Sequence, residues 1–341
     1  MQNYLLSQLT ALTAIPSPTG MTHLAAEYLI RELTALGFAP TMTRKGTVIC
    51  CLGGEGHPLL ISAHVDTLGA VVRAIKPNGH LRYSKVGGFD DNTIENENIT
   101  VHTRDGKAVT GTVYSSKASR HVWGDQSSSA RNDDFLEIIL DEDVSSRSDV
   151  EKLGICVGDF ISFDARTTVT ASGYIKSRHL DDKASSAILL TLAREVAQGR
   201  LVLGRKVYIV FTVYEEVGHG ASALKDLTDV EDMLAVDMGC VGADLTCTEK
   251  QVSICAKDSG GPYDWSFTNE LIARCKKMGI DYAVDIYPGY GSDCGAALRA
   301  GMEIRFALCG QGVFASHGYE RTHMDGIMGT LKLVMDVAEK C

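Results

Sequence analysis

The sequence of 341 residues contains no apolar run long enough to cross a lipid bilayer, so we expect no membrane-spanning segment. It also lacks an excess of basic residues, because 33 Lys and Arg face 43 Asp and Glu and the net charge is −10. A nucleic-acid-binding protein normally carries a basic patch, so neither a nucleic acid nor a membrane is expected as a partner. The negative charge does not exclude a peptide or another small substrate.

None of the ten cysteines forms a Cys-x-x-Cys pair, the spacing of zinc knuckles and thioredoxin-like redox sites. Several cysteines lie in apolar runs, where a free thiol behaves as a small hydrophobic side chain. The N-terminal segment MQNYLLSQLTALTAIPSPTG has no basic start and no continuous apolar stretch, so it does not resemble a signal peptide. These features favour reduced thiols in a cytoplasmic protein.

Helix and strand patterns alternate in the first and last parts of the chain but not in the middle. Residues 1–70 and 168–341 alternate amphipathic helices with short apolar strands, which predicts an α/β domain with a mostly parallel sheet and helices on both faces. This pattern includes a helix near 220–228 and a strand over 303–308. Residues 71–167 carry short β-like runs between polar or Gly-rich turns, as in a small β domain or barrel. We therefore expect a β domain inserted into a single α/β domain.

Five short motifs contain residues that are typical of metal binding and acid–base chemistry. In chain order they are SAHVD (62–66), HLDDK (179–183), YEEVG (214–218), AVDMG (235–239) and SHGYE (316–320). Most of them follow predicted strands, and in open α/β sheets the carboxyl ends of the strands form the ligand-binding edge. Each motif alone also fits a structural role; Asp181 and Asp182, for example, can cap the following helix. Their shared position at strand ends favours one common site.

The residue types in these motifs suit a pair of divalent metal ions. Imidazole favours zinc, cobalt or nickel, and carboxylates are harder ligands that can bridge two ions. Two ions about 3.5–4 Å apart polarise a carbonyl and lower the pKa of a water molecule. A neighbouring carboxylate must then take the water's proton and pass it to the leaving amine. Adjacent Glu215 and Glu216 can divide these tasks, one as a metal ligand and the other as the base.

The ordered set HVD, LDDK, YEEVG, VDMG and SHGYE resembles the M42 family of metallo-aminopeptidases, as do IPSPTG near the N-terminus and GSDCGA at 291–296. The resemblance extends over essentially the whole chain and includes an inserted domain. It implies a zinc-peptidase-like α/β fold and removal of N-terminal residues from peptides that have a free N-terminus. It also implies homo-oligomers, from dimers to large tetrahedral dodecamers, that form through the inserted domain.

The resemblance further implies two divalent metal ions in each subunit. Asp181 bridges both ions, His64 and Asp237 complete one site, and Glu216 and His317 complete the other. Zinc is the first expectation, and cobalt, manganese or nickel are alternatives because His and carboxylate ligands accept all of them.

In the same family pattern Glu215 is the general base, and Asp66 is a carboxylate that orients His64. The sequence departs from the pattern at Thr67, where the family often has Glu. It also departs after Glu216, where the run VGHGAS is one residue shorter than usual. The pattern assigns no role to three other polar residues: His121, His219 and Asp293.

Other functions remain compatible with these residues. The same metal site can serve a deacylase or a carboxypeptidase, although a carboxypeptidase needs a basic group for the substrate carboxylate, for which Arg178 and Arg321 are the candidates. A glycoside hydrolase could use two carboxylates such as Glu215 and Asp66 without a metal, and a chelator would then have no effect. A non-catalytic binding protein would have no need of the base Glu215.

Overall fold

The structure is a computed structural model that describes residues 1–227 and 229–339. The helices in these two segments are α1 Gln2–Ala14, α2 His23–Ala35, α3 Arg147–Leu153, α4 Leu180–Ala197, α5 Trp265–Met278, α6 Asp293–Arg299 and α7 Met324–Ala338. The strands are β1 Thr41–Met42, β2 Val48–Gly53, β3 Leu59–His64, β4 Gly69–Ile75, β5 Leu81–Val86, β6 Asn98–His102, β7 Ala108–Ser115, β8 Leu136–Leu140, β9 Phe160–Phe163, β10 Thr168–Val169, β11 Tyr174–Ser177, β12 Val207–Thr212, β13 Asp232–Val236, β14 Gly239–Val241, β15 Val252–Asp258, β16 Gly261–Pro262, β17 Tyr282–Ile286, β18 Arg305–Phe314 and β19 Glu320–His323.

The chain forms two compact units. Met1–Asp66 and the segment from Arg166 onward form the first, here called the α/β unit, and Thr67–Ala165 forms the second, the β unit. Within the described segments, no helix combines the length and the apolar character that a bilayer crossing requires. The nine cysteines in these segments are free thiols, and six of them are buried.

The sheet of the α/β unit is parallel at its centre and antiparallel at its flanks. Its main order is β1-β2-β12-β3-β13-β18-β19-β11-β10, and β14, β15, β16 and β17 join it beside β18. The four strands β12, β3, β13 and β18 run parallel to one another. Strands β2, β15 and β19 pair antiparallel with this central group. The carboxyl ends of the central strands therefore meet at one edge.

Helices cover both faces of this sheet, which confirms the predicted α/β fold class. Leu59 and Ile61 of β3 pack in a core with residues of α1, α2, α4 and α7. The intervening Leu60 faces the opposite side, where it packs with residues of α6. Burial on both faces explains why β3 is a continuous apolar run rather than an alternating pattern.

The β unit is a closed six-stranded barrel with the order β4-β5-β8-β7-β6-β9. Its core is formed by inward-facing aliphatic and aromatic side chains such as Val72, Leu81, Val113 and Ile161. Ser146 caps the short helix α3, because its hydroxyl accepts a hydrogen bond from the backbone N–H of Asp149, the third residue of the helix. The barrel is the β architecture that the turn-rich middle segment predicts.

The helix predicted near 220–228 is wrong. The structure has a short 3₁₀ turn at Ala221–Leu224 instead, and residue 228 lies outside the described residues. Side chains replace the helical hydrogen bonds here, because Asp293 accepts from the Ala221 N–H and Lys45 donates to the carbonyl oxygen of Gly220. Such long-range partners leave no periodic signal in the sequence.

The strand predicted over 303–308 is too short at its carboxyl end. Strand β18 continues to Phe314 through two glycines that interrupt the apolar pattern. A Cβ atom at Gly310 would lie 1.8 Å from the backbone oxygen of Asp237, and one at Gly312 would lie 2.2 Å from that of Thr248. The glycines are therefore needed for close backbone approach and do not mark the end of the strand.

Candidate active site

Three of the predicted site residues lie at the same edge of the central sheet. His64 is the last residue of β3, Asp237 directly follows β13, and Glu215 lies three residues after β12. Strands β12 and β13 both pair parallel with β3, so their carboxyl ends coincide with His64. Ligands of open α/β sheets bind at this edge.

Asp181 lies between two histidines. Its Oδ1 is 3.0 Å from Nε2 of His64, and its Oδ2 is 3.3 Å from Nε2 of His317. Burial opposes the charged form of Asp181, but the contacts from His317 and His64 outweigh it and hold the pKa of Asp181 below its usual range. The peptide bond from Asp181 to Asp182 is cis. One carboxylate thus faces two potential metal ligands, one with each oxygen.

The structure brings all five predicted metal ligands together and adds a sixth residue. Potential ligand atoms lie within 4.8 Å of one another in two sets: His64, Asp182 and Asp237, and His64, Asp181 and Glu216. His317 joins the second set, because its Nε2 is 3.8 Å from Oε2 of Glu216. The sequence patterns give Asp182 only a helix-start role, yet its side chain belongs to the first set.

Five carboxylates crowd this site: Asp181, Asp182, Glu215, Glu216 and Asp237, here called the carboxylate cluster. Burial, together with the neighbouring Asp181, raises the pKa of Asp237 to about 7 and that of Glu216 to about 8. Burial likewise raises the pKa of Asp182 and Glu215. Across residues 1–227 and 229–339, no Lys or Arg forms an ion pair with the cluster. The site therefore has negative charge that a bound cation would offset.

The carboxylate of Asp66 contacts the backbone that carries the two glutamates. Nδ1 of His64 is 2.9 Å from the backbone oxygen of Asp66 but 3.6 Å from its carboxylate. The carboxylate accepts hydrogen bonds from the N–H groups of Glu215 and Glu216, at 3.2 and 3.4 Å. It also accepts one from the hydroxyl of Thr19, at 2.6 Å, which ties the IPSPTG segment to the site.

Glu320 is a buried acid that the motif analysis left without a role. Its two oxygens accept hydrogen bonds from the backbone N–H groups of Asp181 and His317, each at 3.1 Å. Burial raises the pKa of Glu320 to about 8. The only sequence signal for this contact is that Glu320 ends the motif SHGYE, because a bond to a distant backbone N–H produces no residue pattern.

Three polar residues without an assigned role lie outside the two ligand sets. His219 is exposed, and its ring stacks on Tyr214 with the ring centroids 5.1 Å apart. His121 is exposed and belongs to the β unit. Asp293, the first residue of α6, is buried.

Comparisons with known proteins identify the family to which this chain is similar. The model of the family described as M42 glutamyl aminopeptidase matches residues 46–333. The Bacillus subtilis (strain 168) protein named "Putative aminopeptidase YhfE" is 43% identical over 325 residues, which cover 95% of this chain and 94% of that protein. The "Glutamyl aminopeptidase" of Lactococcus lactis subsp. cremoris is 26% identical over 238 residues, which cover 68% of this chain and 66% of that one.

A solved structure supports the fold. It is described as that of the Pyrococcus horikoshii TET1 peptidase, which can assemble into a tetrahedron or a large octahedral shell. It superimposes with a TM-score of 0.87 at 24% identity and covers 99% of this chain and 100% of that chain. The match to residues 46–333 and the 43% identity over nearly the whole length confirm the resemblance: this chain belongs to the M42 family of peptidases.

Proposed function

We propose that the protein is a metal-dependent aminopeptidase that removes N-terminal residues from peptides, with two divalent cations at the carboxylate cluster. The observation that carries the proposal is the concentration of five buried or partly buried carboxylates around two histidines. Among residues 1–227 and 229–339, none of the five pairs with a Lys or Arg. Buried charge of this kind needs a partner, and cations supply one.

The donor atoms fit such cations. Oδ1 of Asp182 is buried and has no hydrogen-bond partner, which is the state expected of an atom that faces a ligand. Asp181 presents one oxygen to His64 and the other to His317, in keeping with a bridging carboxylate. We assign Asp181, His64 and Asp237 to one cation, and Asp181, Glu216 and His317 to the other. Zinc suits this mixture of imidazole and carboxylate, and cobalt, manganese and nickel are alternatives.

Bound cations of this kind polarise a carbonyl and lower the pKa of a water molecule. Glu215 supplies the proton transfer that this chemistry needs. Its Oε2 is 3.9 Å from Nε2 of His64, and its side chain is 15% exposed, so it lies at the cluster and remains open to a substrate. Burial raises the pKa of Glu215, which increases the basicity of its carboxylate. Glu215 accepts a proton from the attacking water and delivers it to the leaving amine.

The requirement for a free N-terminus follows from the same charge. A substrate ammonium group is attracted to the acids of the cluster, whereas an acetylated N-terminus carries no charge to be attracted. The carboxypeptidase alternative has less support, because Arg321 is ion-paired with Glu249 at 2.6 Å and Arg178 is fully buried. A deacylase would use the same cluster on an acylated amine, and the choice of substrate separates it from an aminopeptidase.

We also propose that the protein forms homo-oligomers in the cytoplasm through the β unit, with dimers to dodecamers as the expected range. The assembly described for the Pyrococcus horikoshii TET1 peptidase supports this proposal. The β unit also exposes apolar side chains, such as Val122 (70% exposed) and Val157 (61% exposed), that a subunit interface would cover. Light scattering coupled to size-exclusion chromatography measures the assembly; a monomer at all concentrations would contradict the proposal.

Hydrolysis of a panel of aminoacyl chromogenic amides tests the proposed activity. Each amide is offered free and N-acetylated, with and without a chelator, and then with added zinc, cobalt or manganese. We expect cleavage of the free amides only, loss of activity with the chelator and recovery with metal. Cleavage of the acetylated amides alone would indicate a deacylase, and activity that survives the chelator would indicate a metal-free hydrolase.

Glu215→Gln is the variant that tests the base. We expect kcat to fall by about 10³-fold or more with normal metal content, because an amide cannot accept the proton of the water. The neighbouring Glu216→Gln is the matched control, since it should lose metal as well as activity. Metal content by mass spectrometry and kcat separate the two roles. Wild-type turnover in Glu215→Gln would show that the base is a different residue.

A further inference from the structure

The turn that carries Glu215 has little structure of its own. This segment, residues 213–221 and here called the base turn, connects β12 to the 3₁₀ turn that begins at Ala221. Tyr214 and Gly218 have positive φ angles of 71° and 80°, and the regular part between them is a single 3₁₀ turn. A segment with so few internal hydrogen bonds needs partners elsewhere to hold one conformation.

Four charged side chains from other parts of the chain supply these partners. Two acids accept hydrogen bonds from its backbone N–H groups: Asp66 from those of Glu215 and Glu216, and Asp293 from that of Ala221. Two bases donate hydrogen bonds to its carbonyl oxygens: Lys45 to those of His219 and Gly220, and Arg299 to that of Gly218. Hydrogen bonds to charged groups are stronger than those between neutral groups. The base turn is therefore fixed mainly from outside itself.

Asp293 differs from the other three because its carboxylate joins the two ends of the base turn. Its Oδ2 accepts a hydrogen bond from the hydroxyl of Thr212, the last residue of β12, at 2.5 Å. Its Oδ1 accepts one from the N–H of Ala221 at 2.8 Å. Asp293 is only 3% exposed, so water does not compete for these bonds. One buried group thus fixes where the turn begins and where it ends.

Gly220 shows how closely the base turn packs on this carboxylate. A Cβ atom at Gly220 would lie 2.3 Å from Oδ1 of Asp293 and 3.1 Å from Cα of Glu215. The φ angle of Gly220 is −54°, which any residue can adopt, so the glycine is required for space rather than for conformation. Gly220 therefore lies directly between Asp293 and the backbone of the base.

We propose that Asp293 is a positioning residue for the general base: it holds the base turn closed from Thr212 to Ala221 and so fixes the position of the Glu215 carboxylate. The inference rests on the proposed role of Glu215. Asp293 acts indirectly, because its hydrogen-bond donors are the hydroxyl of Thr212 and the backbone N–H of Ala221, and neither residue belongs to the carboxylate cluster. Its loss should lower the rate of proton transfer in protein saturated with metal, while substrate affinity stays largely intact. Saturating metal is required because the base turn also carries the proposed metal ligand Glu216.

Asp293→Ala tests this inference, with Asp285→Ala as the matched control. Asp285 is also buried and also ties a loop, through hydrogen bonds at 2.9 Å from the N–H and hydroxyl of Thr246 and the N–H of Cys247. We expect Asp293→Ala to lower kcat about 100-fold at unchanged KM and metal content, because small displacements of a catalytic group cost about that much. Asp285→Ala should lose a similar amount of stability but keep kcat.

Rescue and an activity-independent readout complete the test. Asp293→Asn should recover most of the lost kcat, because an amide can still accept from Ala221 and donate to the oxygen of Thr212. Hydrogen–deuterium exchange of the peptide covering 213–222 should be faster in Asp293→Ala, with or without metal, and unchanged in Asp285→Ala. Exchange rates equal to the wild type would overturn the inference.

Gly220→Ala provides a second route if Asp293→Ala does not fold. It leaves Asp293 in place but displaces the base turn, so kcat should again fall. Gly242→Ala is the control, because Gly242 has open space for a Cβ atom, and this variant should behave as the wild type. Full kcat in both Asp293→Ala and Gly220→Ala, with Glu215→Gln inactive, would refute the inference alone. Full kcat in Glu215→Gln would refute the proposed base, and the inference with it. Loss of metal from Asp293→Ala that saturating metal does not restore would make Asp293 part of the metal site and overturn the positioning role.

Discussion

Strand β13 runs between two buried aspartates whose surroundings differ. Asp232 begins the strand, and its carboxylate accepts two hydrogen bonds from Arg305 at 2.8 and 2.9 Å and pairs with Arg205 at 2.9 Å. Burial opposes the charge of Asp232, but the two guanidinium groups outweigh it and lower the pKa of Asp232. Asp237 follows the strand, and burial together with the neighbouring Asp181 raises its pKa to about 7.

This difference separates an acid that is paired within the protein from one that we propose as a metal ligand. The edge where the central parallel strands begin, here called the amino edge, has a cavity of about 620 Å³. Its lining includes Arg205, Arg305, His57 and Glu231. Its charges are already paired within the protein, because His57 contacts Glu231 at 2.6 Å and the two arginines share Asp232. The carboxyl edge has the opposite property, since its acids mainly face other acids. Unbalanced charge therefore indicates the active site better than the size of a cavity does.

The largest expected effect comes from removing the acid that lies between the two histidines. Asp181→Ala should lose both cations, and activity should fall by about 10³-fold or more because the bridging ligand is gone. The fold should persist, since the variant also reduces repulsion among the remaining acids. Mass spectrometry measures the metal content, and circular dichroism shows whether the fold persists. A variant that still binds two cations would refute the bridging role and weaken the contrast between the two edges.

The second prediction concerns the pH dependence of the metal-free protein. In the folded protein the pKa is about 7 for Asp237 and about 8 for Glu216, whereas both pKa values are near 4 in the unfolded chain. Between these values the folded protein therefore holds protons that the unfolded chain releases. Stability should therefore decrease as the pH rises from about 5 to about 8. With metal bound the decrease should be absent, because cations bind the deprotonated acids.

Thermal unfolding of chelator-treated and metal-loaded protein at several pH values measures this effect. Asp237→Asn, also metal-free, is the control, since it removes one of the titrating groups and should reduce the slope. Equal slopes with and without metal would mean that the cluster does not bind cations in its charged form.

The sequence predicts the proposed metal ligands and base better than it predicts the contacts that hold them in place. His64, Asp181, Glu215, Glu216, Asp237 and His317 belong to motifs at strand ends, and the chemistry of the residue types is enough to select them. Asp182, Glu320 and Asp293 act by long-range contacts, and each of them accepts a hydrogen bond from at least one distant backbone N–H group. Any acid at the right point in space can accept such a bond, so residue type and spacing carry no signal for it.

The fold shows the same limit. Apolar runs such as β3 predict buried strands directly, and the turn-rich middle segment predicts the barrel of the β unit. The predicted strand over 303–308 ends too early because Gly310 and Gly312 interrupt its apolar pattern. Those glycines are required by neighbouring backbone, which only the tertiary structure supplies.

The third prediction concerns the amino edge. Asp232→Asn should destabilise the protein by about 2 kcal/mol, because it leaves Arg205 and Arg305 without a charged partner; this is less than for a fully buried pair, since Arg305 is partly exposed. The loss should be present at neutral pH, should decrease as the pH falls below about 4, the ordinary pKa of an aspartate, and should disappear below the lowered pKa of Asp232, where the wild-type acid also becomes protonated. Turnover per folded molecule should not change. Urea unfolding and kcat provide the measurements.

The neighbouring Glu231→Gln is the control for that variant, because the two acids differ in burial rather than in position. Glu231 is 56% exposed and pairs with the exposed His57, so water already screens its charge. We expect a change below about 0.5 kcal/mol, as for other surface ion pairs. If Glu231→Gln and Asp232→Asn had equal effects on stability, burial would not determine how much an ion pair at the amino edge contributes to the free energy of unfolding. If Asp232→Asn lowered kcat, the two ends of β13 would be coupled, and the separation between a structural and a functional edge would no longer hold.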